Sequence, residues 1–94
     1  MENEVKLEIN DKKGYFYIEI NGKIEAKMTF VFAGSTKIII DHTEVHEGNN
    51  GKGYGKMMIA KAVAFARENN IKIVPLCPFA KKVIDKTPEF QDVL

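Results

Sequence analysis

Asn50-Gly51-Lys52-Gly53-Tyr54-Gly55-Lys56 lies between a strand-like run, Thr36 to Val45, and a helix-like run, Tyr54 to Asn69. Glycines at 51, 53 and 55 let a backbone come close to a ligand with no Cβ in the way. A helix that opens straight afterwards aims its unpaired N–H groups and positive dipole end at that loop. Strand, glycine loop and helix start together suit a phosphate group. Lys52 and Lys56 add positive charge there, although each also reads as an ordinary solvated lysine. The alternative for the segment is a plain loop-to-helix connection. The loop is not a P-loop, because Met57 stands where Ser or Thr is needed and Asn50 where the first glycine is needed. It also fails the G-x-G-x-x-G dinucleotide spacing, since position 56 is lysine.

Upstream, the chain reads as antiparallel strands. Val5, Leu7 and Ile9 alternate with Lys6, Glu8 and Asn10, the period of a half-buried strand. Asp11 to Gly14 is a turn, and Phe16, Ile18 and Ile20 then alternate with Tyr15, Tyr17 and Glu19. Asn21-Gly22 is a strong hairpin signal. The next strand returns through Ile24, Ala26, Met28, Phe30 and Phe32, and Gly34-Ser35 turns the chain again. The fourth strand, Lys37 to Val45, carries Ile38-Ile39-Ile40, which predicts burial on both faces and a central place in the sheet.

Downstream, Met58, Ala62, Phe65 and Ala66 recur at helical spacing, and Ile59 and Val63 widen the stripe. Lys61, Arg67 and Glu68 fall towards solvent, and Asn69-Asn70 suits a left-handed helix end. Ile71 to Leu76 reads as a fifth strand. Cys77-Pro78 then opens a two-turn helix to Lys86, since proline is favoured at the first helical position. Thr87-Pro88 stops it, and Glu89 to Leu94 is too short to assign. Strand, helix and strand make one βαβ unit, so strands four and five should be parallel. The fold class expected is therefore α/β: an antiparallel meander of four strands plus one parallel βαβ crossover, with helices packed on a mixed sheet.

Ninety-four residues suit one domain, 1–94. A 45% apolar and 29% charged composition is that of a soluble globular protein. A net charge of +1 argues against non-specific nucleic-acid binding, which normally leaves a basic excess. No apolar run has the length of a membrane span. The acidic start, Met1 to Glu4, lacks the features of a signal peptide. One cysteine cannot make an internal disulfide, which fits a cytoplasmic location. Two histidines and one cysteine without ligand spacing make no metal site.

Cys77 falls at a helix N-cap, where a thiolate is stabilised. It also follows the C-terminal end of a strand, where open α/β sheets bind ligands. A free cysteine is more often a small buried hydrophobe. His42, on strand four, can take a proton near neutral pH. Strict alternation puts Ile40, His42 and Glu44 on one face and Asp41, Thr43 and Val45 on the other. His42 would then deprotonate either an acceptor amine or Cys77, or else pair within the sheet with Asp41 or Tyr17. His46 reads as exposed, and Phe16, Phe30, Phe32 and Phe65 read as core.

The segment Asn50 to Gly55 is similar to the Arg/Gln-x-x-Gly-x-Gly/Ala signature of the GNAT superfamily of N-acetyltransferases, with Asn50 at the Arg/Gln position and both signature glycines, Gly53 and Gly55, present. The chain resembles most closely a minimal single-domain branch of that superfamily, through Asp41-His42-Thr43-x-Val45, the glycine loop and Cys77-Pro78-Phe79. This resemblance implies a GNAT-like sheet and acetyl transfer from acetyl-CoA to an amine acceptor that is unidentified, a small molecule or a protein. It implies that Asn50, Gly51, Lys52, Gly53, Tyr54, Gly55 and Lys56 meet the coenzyme, with backbone N–H groups from Gly51 to Lys56 on the pyrophosphate. Pantetheine would lie along strand four, with the Val45 N–H polarising the acetyl carbonyl. Cys77 is either a transient acetyl acceptor or a thiol lining the thioester site. His42 is the expected base, with Glu44 as the substitute. A monomer is expected, with no nucleic acid, membrane or metal. The competing expectation is a non-catalytic module or sensor that binds coenzyme A or acyl-coenzyme A.

Overall fold

The computed structural model describes residues 4–46 and 53–94. Four strands come first: β1 (Val5–Asn10), β2 (Lys13–Ile20), β3 (Lys23–Ala33) and β4 (Lys37–Val45). They pair antiparallel in chain order. Helix α1 (Tyr54–Glu68) leads to β5 (Lys72–Pro75), which lies parallel to β4. Helix α2 (Pro78–Lys86) and a 3₁₀ helix (Pro88–Val93) follow. The result is a mixed α/β fold with a single five-stranded sheet in the order β1-β2-β3-β4-β5.

The alternating apolar rows make one core. Phe16, Ile18, Met28, Phe30, Ile38 and Ile40 from the sheet meet Met58, Ile59, Ala62, Val63 and Ala66 from α1 and Ala80 and Ile84 from α2. Full burial of each large side chain is worth about 1.5–3 kcal/mol. Phe16 and Phe30 stack with ring centres 5.2 Å apart, and Phe65 meets Phe16 edge-on at 6.0 Å. Both helices therefore cover the same face of the sheet. The other face carries Tyr15, Tyr17, Lys27 and Thr29 and has no helix on it. Ile39, paired with Val31 on that open face, is only half-buried, so the isoleucine triplet is not covered equally on both sides.

Two bulges correct the simple alternation. Ile18 pairs with Ala26 but Glu19 pairs with Ile24, so Glu25 is the extra residue and Ile24 leaves the core row. Thr29 pairs with His42 but Phe30 pairs with Ile40, so Asp41 is the extra residue in β4.

Helix α1 ends as its asparagines suggest. Asn70 has φ 55°, and the Ile71 N–H returns to the Ala66 carbonyl at 2.8 Å. The tail, unassigned from sequence, folds because it packs. Val93 is buried, and Arg67 holds both oxygens of Asp92 at 3.0 and 2.7 Å and also the Glu89 carbonyl. Lys72 donates to the Asp92 carbonyl at 2.9 Å.

Candidate functional site

Strands β4 and β5 separate part-way along. Their pairing runs from Lys37 opposite Lys72 to Ile40 opposite Pro75. The last link is the Ile40 carbonyl, which accepts from the amides of both Leu76 and Cys77 at 3.0 Å. Beyond it, Asp41 to Val45 continue beside β3 with no β5 partner. The two strands thus form a fork whose inner edge is the second half of β4.

Amide directions along that edge follow from one bond. The His46 N–H points to β3, onto the Glu25 carbonyl at 2.9 Å. Successive amides of a strand point to opposite edges. The Val45 and Thr43 N–H groups therefore point into the fork. Val45 itself pairs with Ala26, and its side chain packs on the core.

Cys77 sits across the fork, at the N-cap of α2 with φ −66° and ψ 124°, followed by Pro78 at the first helical position. It is buried, 6% exposed. Burial pushes its thiol up, but the Thr43 hydroxyl, 3.4 Å from Sγ, and the backbone groups of Ala80, Phe79 and Thr43 outweigh this and bring it below its ordinary value. The N-terminal amides of α2 favour the thiolate, as helix starts do.

His42 is not beside Cys77. Cross-strand partners share a face of the sheet, so the bulge at Asp41 puts Thr43 and Val45 with Met28 and Ala26 on the helix face. It puts His42 and Glu44, paired with Thr29 and Lys27, on the open face, where both are exposed. The strict alternation expected of β4 is overturned here, and with it the expectation that His42 deprotonates Cys77. Nor does His42 pair with Asp41 or Tyr17 in the way expected: Asp41 accepts from the Thr29 hydroxyl at 2.6 Å, and Tyr17 lies opposite Lys27. Thr43 takes the place beside the sulfur. A one-residue bulge leaves no mark in the hydrophobic pattern, so sequence reasoning missed it.

The start of α1 lies against α2, the helix that Cys77 caps. Gly53 is its N-cap with φ 76°, a left-handed conformation that strains any residue with a Cβ. The first intrahelical bond runs from the Met57 N–H to the Gly53 carbonyl at 3.0 Å. No acidic side chain lies in the first turn. Lys56 is exposed and Tyr54 is buried in the core. Gly55 is glycine for a reason the sequence did not reveal: a Cβ there would lie 2.4 Å from Cζ of Phe79. Phe79 of α2 thus abuts the helix start, half-exposed, beside a largely exposed Leu76. Asn50, Gly51 and Lys52 lie outside the described residues.

Hollows lie elsewhere as well. One of about 410 Å³, between Asn10–Lys13 and Val31–Phe32, includes none of the expected site residues. One of about 270 Å³ on the open face is lined by Glu8, Tyr15, Lys27, Thr29 and Asp41, among others. Among the described residues no cluster of three metal-ligating side chains occurs, and no helix is long and apolar enough to cross a membrane.

Comparisons with known proteins bear on the family and the fold. A family model described as GCN5-related N-acetyl-transferase matches residues 15–93. Protein NATD1 of Xenopus tropicalis is 24% identical over 87 residues, covering 92% of this chain and 80% of that protein. A GCN5-like protein of Staphylococcus aureus, solved by NMR, has a TM-score of 0.73 at 37% identity, covering 99% of this chain and 89% of that one. The ribosomal-protein-alanine N-acetyltransferase of Brucella melitensis shares the fold at a TM-score of 0.70 and 20% identity, over 83% of this chain and 62% of that one.

Proposed function

This chain belongs to the GCN5-related N-acetyltransferase family, and on that footing we propose that it moves an acetyl group from acetyl-CoA to an amine acceptor. The observation that carries the reading is the fork between β4 and β5, with a buried N-cap cysteine across it and an acid-free start of α1 against the helix that this cysteine caps.

The coenzyme fits this arrangement. Its pyrophosphate meets the backbone of Gly53, Tyr54, Gly55 and Lys56, and Asn50, Gly51 and Lys52 complete the phosphate loop. Lys52 and Lys56 offset phosphate charge. The pantetheine arm takes the free edge of β4, as a strand partner would. The Val45 N–H, aimed into the fork, donates to the acetyl oxygen and stabilises the negative charge that builds there.

In the simplest reaction the neutral amine attacks the thioester carbon. The new N–C bond forms, the C–S bond breaks, coenzyme A departs as thiolate, and the surplus proton leaves the amine for a base. His42 takes that role from the open face, with Glu44 as the substitute. In the second route Cys77 holds the acetyl group between two transfers. Thr43 and the α2 amides stabilise its thiolate, which attacks the thioester carbon as the C–S bond to coenzyme A breaks, and the thiol proton leaves to solvent or with the departing coenzyme A. The reaction needs no metal, and the protein acts as a cytoplasmic monomer.

The test is incubation with acetyl-CoA and a panel of primary amines, with acetylated amine and intact protein mass as readouts. Acetylated amine supports the enzyme. Bound coenzyme without turnover against any amine supports the binding-module reading instead. Cys77→Ala separates the routes: undiminished turnover eliminates the covalent one.

A further inference from the structure

Resting on the reading of the fork as the acetyl-transfer site, we infer that Thr43 is a positioning residue whose hydroxyl holds the Cys77 sulfur in the fork and favours its thiolate.

The bulge decides which side chain meets the sulfur. Were Asp41 paired with Thr29 as a regular ladder residue, His42 would share the helix face with Ile40 and would stand where Thr43 now stands. Bulges re-aim side chains next to functional sites. This one replaces an imidazole by a hydroxyl opposite the thiol. The hydroxyl lies 3.4 Å from Sγ, close enough for sulfur, and Thr43 is itself half-buried. A hydroxyl accepts from the thiol and donates to the thiolate, so it serves both protonation states by rotating one bond. Threonine also has a stiff χ1, which limits the directions its hydroxyl can take.

On β4, His42 and Glu44 face the open side, and Asp41 accepts from Thr29. On α2, Lys81 pairs with Asp85 at 3.0 Å. On α1, Lys56 is exposed and Tyr54 lies in the core. Among the described residues, the groups that hydrogen-bond the sulfur are neutral: the Thr43 hydroxyl and the backbone groups of Thr43, Phe79 and Ala80. In a buried place such donors count for more than they would in water.

The experiment compares Thr43→Val, which keeps the shape and removes the hydroxyl, with Thr43→Ser, which keeps the hydroxyl. The readout is the rate of iodoacetamide labelling of Cys77 against pH in the ligand-free protein. Thermal melting reports on the fold. Thr43→Val is expected to label several-fold more slowly at neutral pH, with its titration midpoint moved upward, and Thr43→Ser is expected to stay near the parent. Thr43→Ala supplies the hydroxyl-free comparison if the valine variant does not fold. An unchanged profile in the hydroxyl-free variant overturns the inference, and so does an equal loss in Thr43→Ser, which would mean that only the methyl packing matters. Calorimetry with acetyl-CoA is run alongside. Failure of the parent protein to bind would remove the acetyl-transfer reading and leave the labelling comparison intact.

Discussion

Cys77 and Gly55 show how single residues of the fork are fixed by neighbours far away in sequence. The thiol of Cys77 is lowered despite its burial, because hydrogen bonds to sulfur outweigh desolvation. Iodoacetamide labelling of the parent protein should therefore set in below the pH of an ordinary thiol, and acetyl-CoA should shield it. An inert thiol with and without ligand would make Cys77 a core residue and remove the covalent route. Gly55 is set by Phe79 rather than by a ligand alone. Alanine there would push aside the ring of Phe79, a half-exposed side chain that has room to move. Helix propensity favours alanine by about 1 kcal/mol. Gly55→Ala should thus gain less stability in denaturant unfolding than propensity alone gives, and in a Phe79→Ala background it should gain more. An equal effect in both backgrounds would mean that the ring does not constrain position 55.

Helix α1 ties together both ends of the molecule. On the proposed reading, acetyl-CoA binding should weaken as salt rises, because Lys52 and Lys56 would meet phosphate charge through solvent. Changing both lysines to Met should reduce acetyl-CoA affinity and flatten the salt response; if neither changes, they are surface residues only. At its end, Arg67 clamps Asp92 of the 3₁₀ helix. The hydrogen bond from Arg67 holds the Asp92 carboxyl below its ordinary value. A carboxylate with a lowered folded pKa stabilises above its unfolded value of 3.8, and that contribution is lost as pH falls through the lowered one. Asp92→Asn should therefore cost stability near neutrality and shrink the loss on acidification below pH 3.8. Both groups are exposed, so salt should diminish the effect. An acid limb identical to the parent's would show that the tail is held by Val93 packing alone.

At the scale of the whole molecule, most of the architecture was legible because the chain obeys local rules. Period-two rows marked the first three strands, the isoleucine triplet marked the fourth, Asn21-Gly22 marked the hairpin, and the stripe from Met58 to Ala66 marked α1. Pro78 placed the start of α2, and with it the N-cap position of Cys77. Features decided by pairing between distant segments were not legible. The bulge at Asp41 depends on how β3 meets β4, and it reversed the faces of His42 and Thr43. The demand of Phe79 for a glycine at 55 and the docking of the tail on Arg67 depend on packing in the same way. The central claim is that acetyl-CoA occupies the fork between β4 and β5. The most direct test is an amide-resolved NMR titration of the ¹⁵N-labelled protein with acetyl-CoA. Saturable shifts at Thr43, Val45, Tyr54, Gly55, Lys56 and Cys77 are predicted, with Tyr15 and Lys27 on the open face little changed. Shifts confined to the open face, or none at all, would contradict the account.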